Sequence, residues 1–205
     1  MRKLYISDLH FFHNNVLLFD DRPFETMDEM INEMIKRWNN AVDSCDHVYI
    51  LGDMFWKNSK EAVDVLKKLK GNLHLIKGNH DKIESSEFKK RFDEIAYYKE
   101  LNDVVNSEGR RVVLSHYYMP FYNSHYYDGI LLHGHSHTTL ESYDERKITK
   151  YLKKEGYPIE VYNVGCMYPY MDYTPRTLDE IVSGYKKWIE TDEHKDAYVE
   201  FVTKS

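Results

Sequence analysis

The sequence predicts an α/β fold, and three observations carry that reading. Short apolar runs alternate with helical periodicity through the first half of the chain. Hairpin-like runs follow in the second half, and polar residues recur just beyond the carboxyl ends of the runs. Alternation followed by antiparallel strands implies a mixed sheet, or two packed sheets with helices outside. The 205 residues show no internal repeat and no Pro/Gly/Ser-rich linker, so residues 1–205 are read as one domain.

Taken in order, residues 3–7 (KLYIS) form the first strand. Residues 26–42 carry Met27, Met30, Ile31, Met34, Ile35 and Trp38 at helical spacing, with Thr26 as cap and Glu29 three residues on. The methionine stripe belongs to the core. Residues 47–51 (HVYIL) are the second strand. Residues 59–71 are a helix between Ser59 and Gly71, with Lys67, Lys68 and Lys70 on a solvated face. Residues 73–78 (LHLIKG) are the third strand, and 86–92 a short helix. Residues 101–116 read as a hairpin around a 107–110 turn containing Gly109. Residues 129–135 and 159–165 are further strands, and 177–191 a closing helix.

Bulk composition narrows the class. An apolar fraction of 42% with 30% charged residues is that of a folded globular chain. No run approaches the roughly 20 apolar residues that span a bilayer. The start, MRKLYISDLH, lacks the apolar core of a signal peptide, so a cytoplasmic protein with no membrane partner is expected. Cys45 and Cys166 lie far apart, which indicates neither a zinc ribbon nor a disulfide framework. A net charge of −6 disfavours indiscriminate binding to nucleic acid.

The polar groups at the strand ends carry the chemistry. Asp8 and His10 follow the first strand, Gly52 and Asp53 the second, and Gly78, Asn79, His80 and Asp81 the third. His116 follows the hairpin, and Gly134, His135 and His137 follow the next run. Ligands bind at the carboxyl ends of strands in open α/β sheets, so five segments converge on one crevice. Carboxylates, imidazoles and an amide, with no thiolate, suit transition ions better than Mg²⁺ or Ca²⁺. Seven donors exceed what one open tetrahedral site needs, and two metals are implied. Asp8 and His10, two apart on an extended segment, are expected to point to one side. The three glycines fall where the backbone must turn sharply and pass close to the ions.

These ordered blocks, Asp8-x-His10, Gly52-Asp53, Gly78-Asn79-His80-Asp81, His116 and Gly134-His135-x-His137, resemble the calcineurin-like metallophosphoesterases, specifically the small, single-domain prokaryotic or phage-type members. The resemblance covers residues 8–137. It implies a four-layer α-β-β-α sandwich of two mixed sheets with a dinuclear centre at the strand ends. It further implies that Asp8, His10 and His137 hold one ion and Asn79, His116 and His135 the other, with Asp53 bridging. The expected ions are two divalent transition metals, manganese first, with iron, zinc, nickel or cobalt as alternatives. The implied reaction is hydrolysis of a phosphodiester or phosphomonoester, a nucleotide among the candidates, by a hydroxide shared between the ions. His80 is expected to protonate the leaving group, with Asp81 holding its other ring nitrogen. The alternatives are a nuclease of the same superfamily, against which the net charge counts, and a non-catalytic interaction scaffold, against which the complete ligand set counts.

Asn79 within these blocks, and His13 and Arg22 outside them, are the candidates for contacting substrate. His13 either meets phosphate or shapes a turn, and Arg22 either clamps phosphate or lies at the surface. His47 and His74 read as edge residues, His133 as packing beside the site, and His125 and His194 as solvated. The aromatics of residues 116–128 either line the pocket mouth, where a base could stack, or cover a small core. Residues 162–181 follow the last strand without a role that their composition fixes.

Overall fold

The computed structural model describes residues 1–56, 59–82 and 85–191; His194 lies outside them. The first half runs β1 (Lys3–Ile6), the single-turn α1 (Val16–Phe19), α2 (Met27–Ala41), β2 (His47–Ile50), α3 (Lys60–Lys68), β3 (Asn72–Ile76), α4 (Ser86–Lys89) and β4 (Phe92–Ala96). The second half runs β5 (Tyr98–Val105), β6 (Glu108–Ser115), β7 (Ile130–His133), α5 (Leu140–Lys154), β8 (Glu160–Asn163) and α6 (Leu178–Glu190). Two four-stranded sheets result, ordered β1-β2-β3-β4 and β5-β6-β7-β8. Only the second is mixed: β5 and β6 are antiparallel and the rest parallel, whereas the first sheet is parallel throughout. Helical crossovers between its strands explain that difference.

Burial follows the expected periods. In α2, Met30, Ile31, Met34 and Trp38 are buried, and the Thr26 hydroxyl accepts the Glu29 N–H. Trp38 Nε1–H donates to Lys70 O at 3.0 Å. Ser59 caps α3, whose Lys67 and Lys68, like the following Lys70, are exposed. Leu4, Ile6, Val48, Ile50, Leu73 and Leu75 join these helices in one core with Val112, Leu114, Ile130 and Leu132 of the second sheet. Val113, Leu131 and Val161 point the other way, into a smaller core with Leu152 of α5 and Tyr122. The layers are therefore helix, sheet, sheet, helix. No helix among the described residues is long and apolar enough to cross a membrane.

Several elements differ from expectation. The hairpin turns at Asn106–Ser107, both at positive φ (50° and 67°), and Gly109 lies within β6. A two-residue turn of this hand matches the twist of the flanking strands. β4 begins where the short helix was expected to end; four of its five residues are exposed or only partly buried, so it carries no apolar signature. About half of α5 is charged, only Ser142, Glu145 and Leu152 are buried, and the helix shows no apolar stripe. His47 and His74 sit on interior strands, and His74 is mid-strand and buried, so neither is an edge residue.

Residues 162–181 join the two sheets. Ser7 pairs with Gly165, Ser7 N–H donates to Val164 O and Cys166 N–H to Ser7 O, each at 2.9 Å. Tyr5 pairs with Arg176. Both sheets therefore present their carboxyl ends on one rim.

Two substitutions separate the sources of this stability. Trp38→Ala opens the main core and should cost about 3–5 kcal/mol. Thr177→Ala removes one half of the α6 capping box and should cost about 1 kcal/mol. Urea unfolding of both variants checks the ranking, and a costlier Thr177→Ala would contradict it.

Candidate metal centre

The loops after β1 and β2 run side by side and fix the first donors. Asp8 N–H donates to Gly52 O at 3.0 Å, His10 N–H to Asp53 O at 2.9 Å and Phe11 N–H to Met54 O at 3.0 Å. Asp8 and His10 are not extended here. Their φ values are 57° and 50°, and Asp53 (52°), His135 (73°) and His137 (48°) share the left-handed region. Such residues cost on the order of 1–3 kcal/mol each and persist where surrounding structure dictates them. The expected same-side placement of Asp8 and His10 is reached by this coiling rather than by strand alternation.

The side chains converge in two groups, Asp8 with His10 and His137, and Asp53 with His116 and His135. Within each, one donor atom per residue lies within 4.8 Å of the others. His10 Nε2 is 3.0 Å from His137 Nε2, which is 3.8 Å from Asp8 Oδ1. Asp53 Oδ2 lies between the groups, 3.7 Å from His10 Nε2 and 3.6 Å from His116 Nε2. Asn79 Oδ1 is 3.0 Å from His116 Nε2. At Gly52 (φ 90°) and Gly134 the chain passes close to the donors: a Cβ at Gly52 would strike the His116 ring, and one at Gly134 would lie 2.5 Å from Asp8 Oδ2.

The residues fit divalent cations. Burial, then the neighbouring His137 and Arg22, hold the His10 imidazole far below its usual pKa. Burial opposes protonation of His137 too, but its hydrogen bond to Asp20 and the charges of Asp8 and Asp20 raise its pKa. His10 Nδ1 and His135 Nδ1 are buried without a hydrogen-bond partner. Nitrogen and oxygen donors of this kind suit transition ions.

The support around these donors corrects two expectations. Arg22 is neither a phosphate clamp nor a surface residue: its side chain is fully buried. Its guanidinium donates to Asp8 O (2.8 Å), Leu9 O (2.9 Å) and Asp20 Oδ2 (2.8 Å). Its donors are shared among the loop that carries Asp8, the Asp20 carboxylate and Met30 Sδ of α2. Asp81 does not hold the His80 ring. Its carboxylate accepts the N–H groups of Asp53, Met54 and Gly78 at 2.8–2.9 Å.

Asp20 is a residue of this site that the sequence did not disclose. It accepts the His137 Nδ1–H at 2.8 Å, fixing the tautomer that turns Nε2 toward Asp8. Similarly, His116 Nδ1–H donates to Leu51 O at 2.8 Å. Below the loop of His135 and His137, the Ser136 hydroxyl donates to the buried Glu145 at 2.6 Å. Burial raises the Glu145 carboxyl to about 7 against the opposing effect of that hydrogen bond.

Aromatic side chains flank the centre. His13 stacks on Trp56 (3.7 Å between centroids, 5° between planes), and Trp56 also meets the His80 ring at 4.5 Å. Phe19, 53% exposed, lies 5.6 Å from the His137 ring. On the other side Tyr117, 48% exposed, lies 4.6 Å from the His135 ring. Most of the 116–128 aromatics instead surround the small core: Tyr118 bonds Thr149, Tyr122 bonds Gly129 O, and Phe121 and Tyr126 pack near Tyr157. Only Tyr117 reaches the donors. His133 is buried and packs against Tyr118, as expected, while His125 is half-buried and bonded to Tyr122 O rather than solvated.

The family model described as calcineurin-like phosphoesterase superfamily domain matches residues 1–178, and the chain belongs to that superfamily. An uncharacterized protein of Methanocaldococcus jannaschii is 35% identical over 191 residues, 91% of this chain and 93% of that protein. A protein of unknown function from Aquifex aeolicus superposes with a TM-score of 0.64 at 26% identity, over 88% of this chain and 97% of that one. An archaeal phosphodiesterase aligns over 68% of this chain and 76% of its own, at 16% identity and a TM-score of 0.40, too slight a likeness to carry an argument.

Two outcomes are expected from the supporting residues. Asp20→Asn should weaken cation binding at the Asp8 group by about 10–100-fold and spare the Asp53 group. Calorimetric titration reads both affinities, and equal loss at the two would overturn the role of Asp20. Glu145 has a pKa above its unfolded value of 4.5, so its carboxyl favours folding at low pH and costs stability as pH rises from about 4.5 to 7. Glu145→Gln removes that cost. Above pH 7 it should be more stable than the native chain by about 3 kcal/mol, a gap that closes toward pH 4. A gap independent of pH in denaturant unfolding would refute this.

Proposed function

We propose that the protein is a metal-dependent phosphoesterase. The observation that carries the reading is Asp53 Oδ2 lying between two groups of imidazole and carboxylate donors, with His80 Nε2 4.0 Å away on the solvent side. In this reading Asp8, His10 and His137 hold one ion, Asn79, His116 and His135 the other, and Asp53 reaches both. Two divalent ions bound there would activate a water near neutral pH and offset the charge of a phosphate group.

The protein's own groups supply the rest. His80, 38% exposed by side chain, can donate a proton to a departing alkoxide, while Trp56 limits how far its ring turns. Asp81 acts on His80 through the backbone, by fixing the turn from which it projects. Asn79 adds a neutral oxygen, which keeps the centre less negative toward an anionic ester. Phe19, Trp56 and Tyr117 form apolar walls on either side of an open site. An open site with aromatic walls favours an ester whose alcohol carries a planar group, such as a nucleotide, and admits diesters as well as monoesters. His13, stacked on Trp56, lines the same wall.

After chelation, activity on phosphate esters should return with Mn²⁺, Co²⁺ or Ni²⁺ far more than with Mg²⁺. His80→Gln should keep the ion content of the native chain. Its turnover of an ester with an alkoxide leaving group should fall about 10²–10⁴-fold, and that of a nitrophenyl ester much less. Parallel losses on both substrates would remove the proton-donor role. A reloaded native chain inactive on every ester would remove the phosphoesterase reading.

A further inference from the structure

Among the described residues, a third group of nitrogen and oxygen donors lies within 4.8 Å of one another: His47, His74 and Asp93. It belongs to the opposite end of the first sheet. His47 opens β2, six residues before Asp53, which is roughly 20 Å along a strand. Three neighbouring strands contribute one group each. The register of β3 on β4 shifts between Leu73 and His74, which pair with Phe92 and Glu94, so Asp93 is an extra residue without a partner across the ladder. A bulge of this kind re-aims a side chain.

The local geometry resembles that of the centre at the other end. His47 Nδ1 is 2.8 Å from His74 Nε2, close to the 3.0 Å between the His10 and His137 nitrogens. His74 is 9% exposed, and its Nδ1 has no hydrogen-bond partner. That atom lies 3.5 Å from Glu94 Oε2. The Tyr49 ring stacks on His74 at 4.5 Å and 19° and fixes its plane. Lys99 Nζ pairs with Glu94 at 2.6 Å, so the charges facing the imidazoles are two carboxylates against one ammonium. The excess is negative, as a cation requires.

We propose that His47, His74 and Asp93 form a third cation site, which takes a transition ion of the Zn²⁺, Co²⁺ or Ni²⁺ class and clasps β2, β3 and β4 together. Two imidazoles and one carboxylate are a donor set for such ions and a poor one for Mg²⁺ or Ca²⁺. The site is independent of the phosphoesterase reading. The competing description is an imidazole–imidazole hydrogen bond that binds nothing.

Elemental analysis of the full chain decides between them. The native protein, His47→Gln and Asp93→Asn are stripped with chelator, dialysed against Zn²⁺ near neutral pH and freed of excess ion. His47→Gln should carry one Zn²⁺ fewer than the native chain, whatever the content of the other centre, and Asp93→Asn should release one ion at lower chelator concentration. Loading with Co²⁺ should give a visible absorption difference between the native chain and His47→Gln. His47 and Asp93 are not fully buried, so both variants are expected to keep the native circular dichroism. Equal zinc content and equal Co²⁺ spectra in the native chain and His47→Gln would overturn the proposal.

Discussion

The carboxylate of Asp81 accepts three backbone N–H groups, from Asp53, Met54 and Gly78, and the arrangement of the whole rim depends on it. A buried carboxylate is costly unless its oxygens are satisfied. Here it is satisfied by two loops that would otherwise have no reason to approach. Asp53 Oδ1 returns the favour by accepting the His80 N–H at 2.9 Å. The two loops are thus locked in both directions, and Asp53 Oδ2 is left facing the imidazoles. Arg22 does for the first loop what Asp81 does for the others, with donors in place of acceptors. Backbone held in the left-handed region at five of the converging residues is tolerable only inside such a frame.

How much of this was legible depended on range. The converging donors lie within a few residues of an apolar run, so strand and polar tail appear together in the sequence, and the structure brings all of them to one rim. The partners that orient them do not. Asp20 and His137 are 117 residues apart, and nothing local marks Asp20 as the acceptor of an imidazole proton. Arg22 read as a surface or phosphate-binding charge because arginine is rarely buried, and its burial is explained only by carbonyls that the fold assembles. The backbone at Asp8 and His10 departs from the extended form for a related reason: the pattern of residues specifies which side chains are present, while their dihedral angles answer to the neighbouring loop.

The same logic holds for the fold. Helices α2 and α3 carry caps and apolar stripes that mark α2 to within a residue at each end and the start of α3, which stops at Lys68, short of Gly71. The strand β4 and helix α5 bury little, so they leave almost no hydrophobic period, and their positions are set by the sheets that they complete. In α5 the buried Glu145 matters more than any apolar residue, since it holds Ser136 between two donors.

The pairing of Ser7 with Gly165 has a consequence for how the protein assembles. Asp8 comes from the first sheet and His137 from the second, 129 residues later, so neither group of donors exists in either half alone. Closing so long a loop is paid in chain entropy before any donor can meet its partner. The rim must therefore form late in folding, after both sheets have docked along this seam. A cation captured there would stitch the two halves, so that pulling them apart would require its release and the rate of opening would be tied to ion dissociation.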